Sequence, residues 1–240
     1  MVIVFLHGVP ETSAIWRKLR AAIGMESVAL SLPGFGCARP EGFDSAKDEY
    51  VAWVADQLDR FDEVDLVGHD WGAGLTYRLA LTHRLRSWVA DVANILHSGY
   101  VWHPQAQVWQ TPGKGEAGIE QMLATPTETL AERYTSYGPS VEDAREMAQG
   151  TDETMGASIL SLYRSATPNL HSHWGPLAPT EAPGLVLHAT NDPFSEEGKA
   201  REVATALGAR FQSIEANHFW PYEAPDKAAE VLTQFWASVK

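Results

Sequence analysis

Short apolar runs of strand length alternate along this chain with stretches whose apolar residues recur at helical spacing. Val2-Ile3-Val4-Phe5-Leu6 is a continuous apolar run, which suits a parallel strand buried on both faces. His7-Gly8-Val9-Pro10 ends it, Glu11-Thr12-Ser13 offer caps, and a helix is predicted over about 14–23 with Gly24 as its stop. Residues 27–30 predict a second strand. Asp44 or Ser45 starts a long amphipathic helix to about residue 60, with Tyr50, Val51, Val54 and Leu58 on one face. Residues 64–68 predict a third strand, followed by a helical pattern over 73–82, and 88–95 predict a fourth strand. The same rhythm returns late in the chain, with strands at 184–189 and 210–215 and helices over about 195–207 and 225–239.

Between about 97 and 179 the pattern changes. Strand-like runs vanish, short helical patterns alternate with Pro and Gly, and Tyr100, Trp102, Trp109, Tyr134, Tyr137, Tyr163 and Trp174 crowd in. The expectation is a core made of residues 1–96 and 180–240, interrupted by a mostly helical lid at 97–179. Strands alternating with helices imply an α/β fold, a mostly parallel sheet of about six strands wrapped by helices on both faces. In such sheets chemistry gathers beyond the carboxyl ends of the strands. His7 to Pro10, Asp70, Asn191-Asp192 and His218 all fall there.

The sharpest local signal is Gly68-His69-Asp70-Trp71-Gly72, set between the third strand and its helix. It has the layout of a nucleophile elbow, where a reactive side chain rides on a tight strand-to-helix turn. The usual Ser at the centre is replaced by Asp. A strand–loop–helix joint with Asp70 as a helix cap is the plain alternative.

Composition narrows the field. The chain has 240 residues and is 45% hydrophobic, enough for one sizeable core. Its apolar runs are far too short to span a bilayer. The formal net charge of −13 argues against a nucleic-acid surface and against anionic membranes. Met1 leads straight into a strand without a basic-then-apolar leader, and Cys37 is the one cysteine, so a reducing cytoplasmic setting is expected.

Taken together, His7-Gly8-Val9-Pro10, Gly68-His69-Asp70-Trp71-Gly72, Asn191-Asp192-Pro193 and Asn217-His218-Phe219 make the chain resemble the α/β-hydrolase family over nearly its whole length. Their order is nucleophile, acid, base, as in that family. The family normally has an antiparallel hairpin ahead of the strand leading to His-Gly. This chain begins at that strand, which predicts a sheet of about six strands with residues 27–30 as an exposed edge, and a homodimer that covers it. The resemblance implies Asp70 as nucleophile, His218 as base and Asp192 as its orienting acid, with Asp91 as the spare candidate acid. It also implies backbone donors from Val9 and Trp71 for an oxyanion, a cis Val9–Pro10 bond, and no metal or organic cofactor. His7 and His69 are expected to buttress loops.

An Asp nucleophile suits sp³ carbon with a leaving group, because attack on an ester or amide would yield an anhydride. The expected partner is therefore a small apolar electrophile. Leu162-Tyr163-Arg164 resembles the lid segment in which epoxide hydrolases carry a proton-donating tyrosine, and His-Gly-Val-Pro-Glu at 7–11 leans the same way. Tyr100, Tyr134 and Tyr137 are candidates for its partner. Haloalkane dehalogenases instead hold the halide with N–H donors; Trp71 and Trp109 supply two indoles for that reading. Trp71, Trp109, Phe219, Tyr134 and Tyr137 are the expected lining of the substrate pocket. A third reading, a hydrolase-like protein that binds a ligand without turnover, leaves the Asp70–Asp192–His218 set without a purpose.

Overall fold

The computed structural model describes residues 1–239. Its strands are β1 (Val2–Leu6), β2 (Ser27–Leu30), β3 (Val64–Gly68), β4 (Ser87–Ala90), β5 (Gly184–Ala189) and β6 (Arg210–Ile214). Its helices are α1 (Arg17–Ile23), α2 (Lys47–Leu58), α3 (Trp71–Thr82), α4 (Pro104–Gln110), α5 (Lys114–Ala124), α6 (Thr127–Thr135), α7 (Val141–Gln149), α8 (Glu153–Ser165), α9 (His171–Trp174), α10 (Glu197–Leu207), α11 (Trp220–Glu223) and α12 (Pro225–Ala237). The six strands form one sheet in the order β2-β1-β3-β4-β5-β6, and every neighbouring pair is parallel.

The period-two geometry of β1 divides the apolar residues between two cores. Val2, Val4 and Leu6 face a cluster that includes residues of α2, α3 and α10. Ile3 and Phe5 face a second cluster built with α1 and α12. Both faces of β1, β3, β4 and β5 are buried, which is why these strands are mostly apolar rather than alternating, although β3, β4 and β5 also carry the buried polar residues Asp65, Ser87 and His188. β2 is an edge strand, as expected, and all four of its residues are half-buried. Arg20 lies across it, donating to the Ser27 carbonyl at 2.7 Å and the Ser27 hydroxyl at 3.0 Å.

Two sequence expectations are corrected. The fourth strand ends at Ala90, not at residue 95. Val92 turns into the left-handed region with φ 36°, and a short 3-10 turn, Ala93–Leu96, follows. The Asp91 carboxylate explains the break, because it is taken up by hydrogen bonds to the neighbouring elbow rather than left to continue a strand. The helix expected from residue 44 or 45 starts at Lys47. Asp44 closes a local turn onto Ala46 N–H at 2.9 Å, and Ser45 sits at φ 64°, so neither is helical.

Between β4 and β5 the chain is helical from α4 to α9. These helices divide their allegiance. Residues of α4, α5 and α8, such as Trp109, Ile119, Ile159 and Tyr163, join the first core. Residues of α6 and α7, such as Leu130, Tyr134 and Met147, join the second. None of the helices described is long and apolar enough to cross a membrane.

Candidate active site

Asp70 stands at the carboxyl end of β3, between that strand and α3, with φ 52° and ψ −117°. This is a strained conformation for a residue with a side chain, and such strain is kept where surrounding packing over-determines it. The glycines around it are required by close approach. A Cβ on Gly72 would lie 2.2 Å from the Leu6 carbonyl oxygen, and one on Gly8 would lie 2.3 Å from the Asp70 Cβ. The turn thus fits between β1 and β3 only because these positions carry no side chain.

Three strand ends converge on the Asp70 carboxylate. The Val9 N–H, just past β1, donates to Oδ1 at 2.9 Å. His218, after β6, places Nε2 3.9 Å from Oδ2, too far for a hydrogen bond. Asp192, after β5, accepts from His218 Nδ1 at 3.0 Å and from the Phe194 N–H at 2.8 Å. The Trp71 N–H, the first amide of α3, has no intrahelical acceptor. The Val9–Pro10 bond is cis. Asp91 does not meet His218. Its Oδ1 accepts from the Asp70 N–H at 2.9 Å, and its Oδ2 binds His69 Nδ1 at 2.5 Å and the Trp220 indole at 2.6 Å.

His69 and Glu11, both fully buried, form the layer beneath. Glu11 Oε2 accepts from the Gly8 N–H at 3.1 Å. Its Oε1 lies 3.2 Å from His69 Nε2, close enough for an ion pair but off the angle of a hydrogen bond, so both atoms remain without a hydrogen-bond partner. Burial opposes a charge on His69, but Glu11 and Asp91 on its two sides outweigh it and hold the imidazolium well above its ordinary pKa. Burial likewise opposes the Glu11 charge, and His69 overcomes it, keeping Glu11 ionised. Breaking one partner out of such a buried pair typically costs about 3–5 kcal/mol. Glu11–His69–Asp91 therefore locks the elbow to β1 and β4. His7 buttresses the neighbouring loop as expected: its Nδ1 faces the Gly8 carbonyl at 2.9 Å and its Nε2 accepts from the Leu32 N–H at 3.1 Å.

Charges at the centre are tuned by burial. Burial pushes the Asp70 carboxyl up to about 6, with His218 and the Val9 N–H pulling the other way. Burial also works against the His218 cation, but Asp192 prevails and raises its pKa above the ordinary value. Glu11, His69 and His218 each bring one side-chain ligand atom within 4.8 Å of the other two. A histidine held as a cation offers an N–H rather than a lone pair. The cluster accordingly presents donors and an acceptor suited to a water molecule.

A cavity of about 610 Å³ opens above Asp70. Val9, Asp70, Trp71, Trp109, Tyr134, Tyr137, Tyr163, His218 and Phe219 all line it, as does Tyr100. Every site residue expected from the sequence is thus at the cavity except Asp192, which stands behind His218. Tyr163 is packed between indoles, 5.2 Å from the Trp71 ring and 4.8 Å from the Trp109 ring. Burial, and then the nearby Asp70 charge, raise the Tyr163 pKa well above its usual value. The indole N–H groups of Trp71 and Trp109 are buried with no acceptor. Trp102, stacked on Trp71 at 5.6 Å, lines it too, as do His103 and Phe194, which the sequence did not single out.

A family model described as the alpha/beta hydrolase family matches residues 3–231. The sequence is 34% identical to epoxide hydrolase 3 of Xenopus tropicalis over 98% of this chain and 71% of that protein. It is 35% identical to a haloalkane dehalogenase of Mycolicibacterium smegmatis over 40% of this chain, an alignment that spans 32% of that relative's length. An epoxide hydrolase solved without ligand superposes with a TM-score of 0.80 at 17% identity, covering 100% of this chain and 92% of the other, a likeness that speaks for the fold alone.

Proposed function

The chain belongs to the alpha/beta hydrolase family, and on that footing we propose that it opens epoxides to diols through a covalent ester on Asp70, with the helices of residues 97–179 serving as the lid over the reaction. The observation that carries this reading is Tyr163. Its phenol stays protonated beside Asp70, buried in the same cavity, and a protonated donor is what a departing epoxide oxygen needs.

In the first step Asp70 Oδ2, the oxygen not held by Val9, attacks an epoxide carbon. The carbon–oxygen bond of the ring breaks, and the ring oxygen takes the Tyr163 proton. Asp70 loses its charge on becoming an ester, and with it one cause of the raised Tyr163 pKa, so the phenol becomes a better acid as the alkoxide forms. In the second step a water attacks the Asp70 carbonyl carbon. His218 Nε2 takes its proton, and Asp192 stabilises the resulting imidazolium. Glu11 Oε1 and His69 Nε2 seat that water beside His218. The tetrahedral oxyanion on Oδ1 is met by the N–H groups of Val9 and Trp71. Collapse of the intermediate breaks the bond to the alkoxide, which takes the proton held by His218 to complete the diol; the Asp70 acid so formed gives up its proton, which returns to the Tyr163 phenolate and restores both groups.

Conversion of styrene oxide to its diol tests the proposal. Tyr163→Phe is expected to slow ester formation about 10²-fold or more, the usual worth of a positioned acid. A variant that alkylates Asp70 at the wild-type rate would remove Tyr163 from the mechanism. The two steps should also part company with pH. His218 acts as a base only when neutral, so ester hydrolysis fails as pH falls through its raised pKa. Asp70 is a nucleophile only when ionised, so ester formation fails lower, as pH falls through about 6. Between those points a burst of ester without turnover is expected in stopped-flow records, and a common pKa for both steps would contradict it.

One observation favours a second reading. The orphaned Trp71 and Trp109 N–H groups beside Tyr163 suit a halide leaving group, which makes a haloalkane dehalogenase the alternative. Halide release from a dibromoalkane, without diol from any epoxide, would decide for it.

A further inference from the structure

We propose that the outer rim of the cavity, centred on Arg133, accepts a carboxylate, so that the substrate is an epoxide bearing a carboxylate at the end remote from the reacting carbon. This deepens the epoxide reading and rests on it. Both groups of helices between β4 and β5 contribute to the cavity lining: α4, α5 and α8, which pack on one core, and α6, which packs on the other. Gln105 of α4, Gln121 of α5 and Arg133 of α6 all line the cavity, and all three are exposed. Three helices therefore bring two amides and one guanidinium to the exposed part of one cavity lining.

Arg133 is the one Lys or Arg side chain on the cavity lining. No described carboxylate lies within 4.0 Å of its guanidinium, although the chain has 31 acidic residues against 18 basic ones. Most of the cavity wall is apolar or aromatic, and burial holds His103, the other basic group above the floor, neutral with a pKa of about 4. Apart from the reacting Asp70 and His218, Arg133 is thus the lone charge on the lining. Its place in the last turn of α6 suits the helix dipole. The dipole accounts for a base on that turn but not for one whose side chain lines the cavity. The net charge of −13 repels an anion from afar, but that repulsion is screened beyond about 8 Å at physiological ionic strength, so rim charges decide. A carboxylate could sit there in the planar two-point geometry that guanidinium favours, while the apolar chain behind it fills the aromatic cavity and carries the epoxide to Asp70.

The test separates this inference from the epoxide reading by measuring binding apart from turnover. A homologous series of terminal diols is prepared, each ending either in a carboxylate or in the isosteric primary amide. Binding is read by quenching of the cavity tryptophans. At the best chain length the acid is expected to bind about fivefold tighter than its amide, the upper range for an exposed charge pair. Arg133→Gln should erase that ratio, Arg133→Glu should invert it, and added salt should shrink it. Acids that bind no better than amides at any length, or a ratio that survives in Arg133→Gln, would overturn the proposal. The matching epoxides are then tried as substrates. A preference for acids with no epoxide opened leaves the rim site standing and removes the epoxide chemistry. Epoxides opened without regard to the carboxylate do the reverse.

Discussion

Replacing His218 by alanine is expected to arrest the protein as an ester on Asp70. In the proposed mechanism the first step does not need the imidazole, because the Asp70 oxygen would be the nucleophile and Tyr163 would serve the leaving oxygen. The second step loses the group that takes a proton from water, and general-base help is worth about 10²- to 10⁴-fold. Incubation with a good epoxide should therefore give one equivalent of adduct by intact mass spectrometry, followed by turnover slowed by that factor. Asp192 would lose its partner, so thermal melting should be recorded alongside. Undiminished turnover, without adduct, would show that position 218 is not the base.

Asp70→Asn is expected to abolish both half-reactions. The amide keeps the shape of the elbow, and its oxygen can still accept from the Val9 N–H now 2.9 Å from Oδ1. It is not a nucleophile, however, and loss of a nucleophile typically costs well above about 10³-fold in turnover. No adduct should form with any substrate. Because the proposed second step brings water to this same carbonyl carbon, slow conversion of the new amide back to Asp70 must be checked by peptide mass. Activity near the wild-type level with the amide intact would mean that water attacks the substrate directly.

Much of the architecture was legible because it depends on local pattern. The buried parallel strands β1, β3 and β5 read as mostly apolar runs, since both of their faces are covered. The elbow read from its glycines, since a Cβ there meets β1. The error at residues 88–95 has a tertiary cause: an apolar run continues, but Asp91 is drawn to the elbow and Val92 turns with it. The Glu11–His69–Asp91 layer was likewise hidden. Each residue is an ordinary polar group in the sequence, and only the meeting of β1, β3 and β4 buries them together. Gln105, Gln121 and Arg133 lie on three helices and come to line one cavity only through the way those helices pack. Spacing along one chain segment carries no trace of such meetings, whereas Tyr163 could be picked out because its flanking residues resemble a known lid segment.

The central claim is that the oxygen delivered to the product comes from Asp70 and is replaced there from water. A single turnover with enzyme in excess, run in oxygen-18 water and followed by peptide and product mass analysis, tests it most directly. The account predicts label in the peptide containing Asp70 and an unlabelled diol. Label in the diol, with none in the protein, would contradict it.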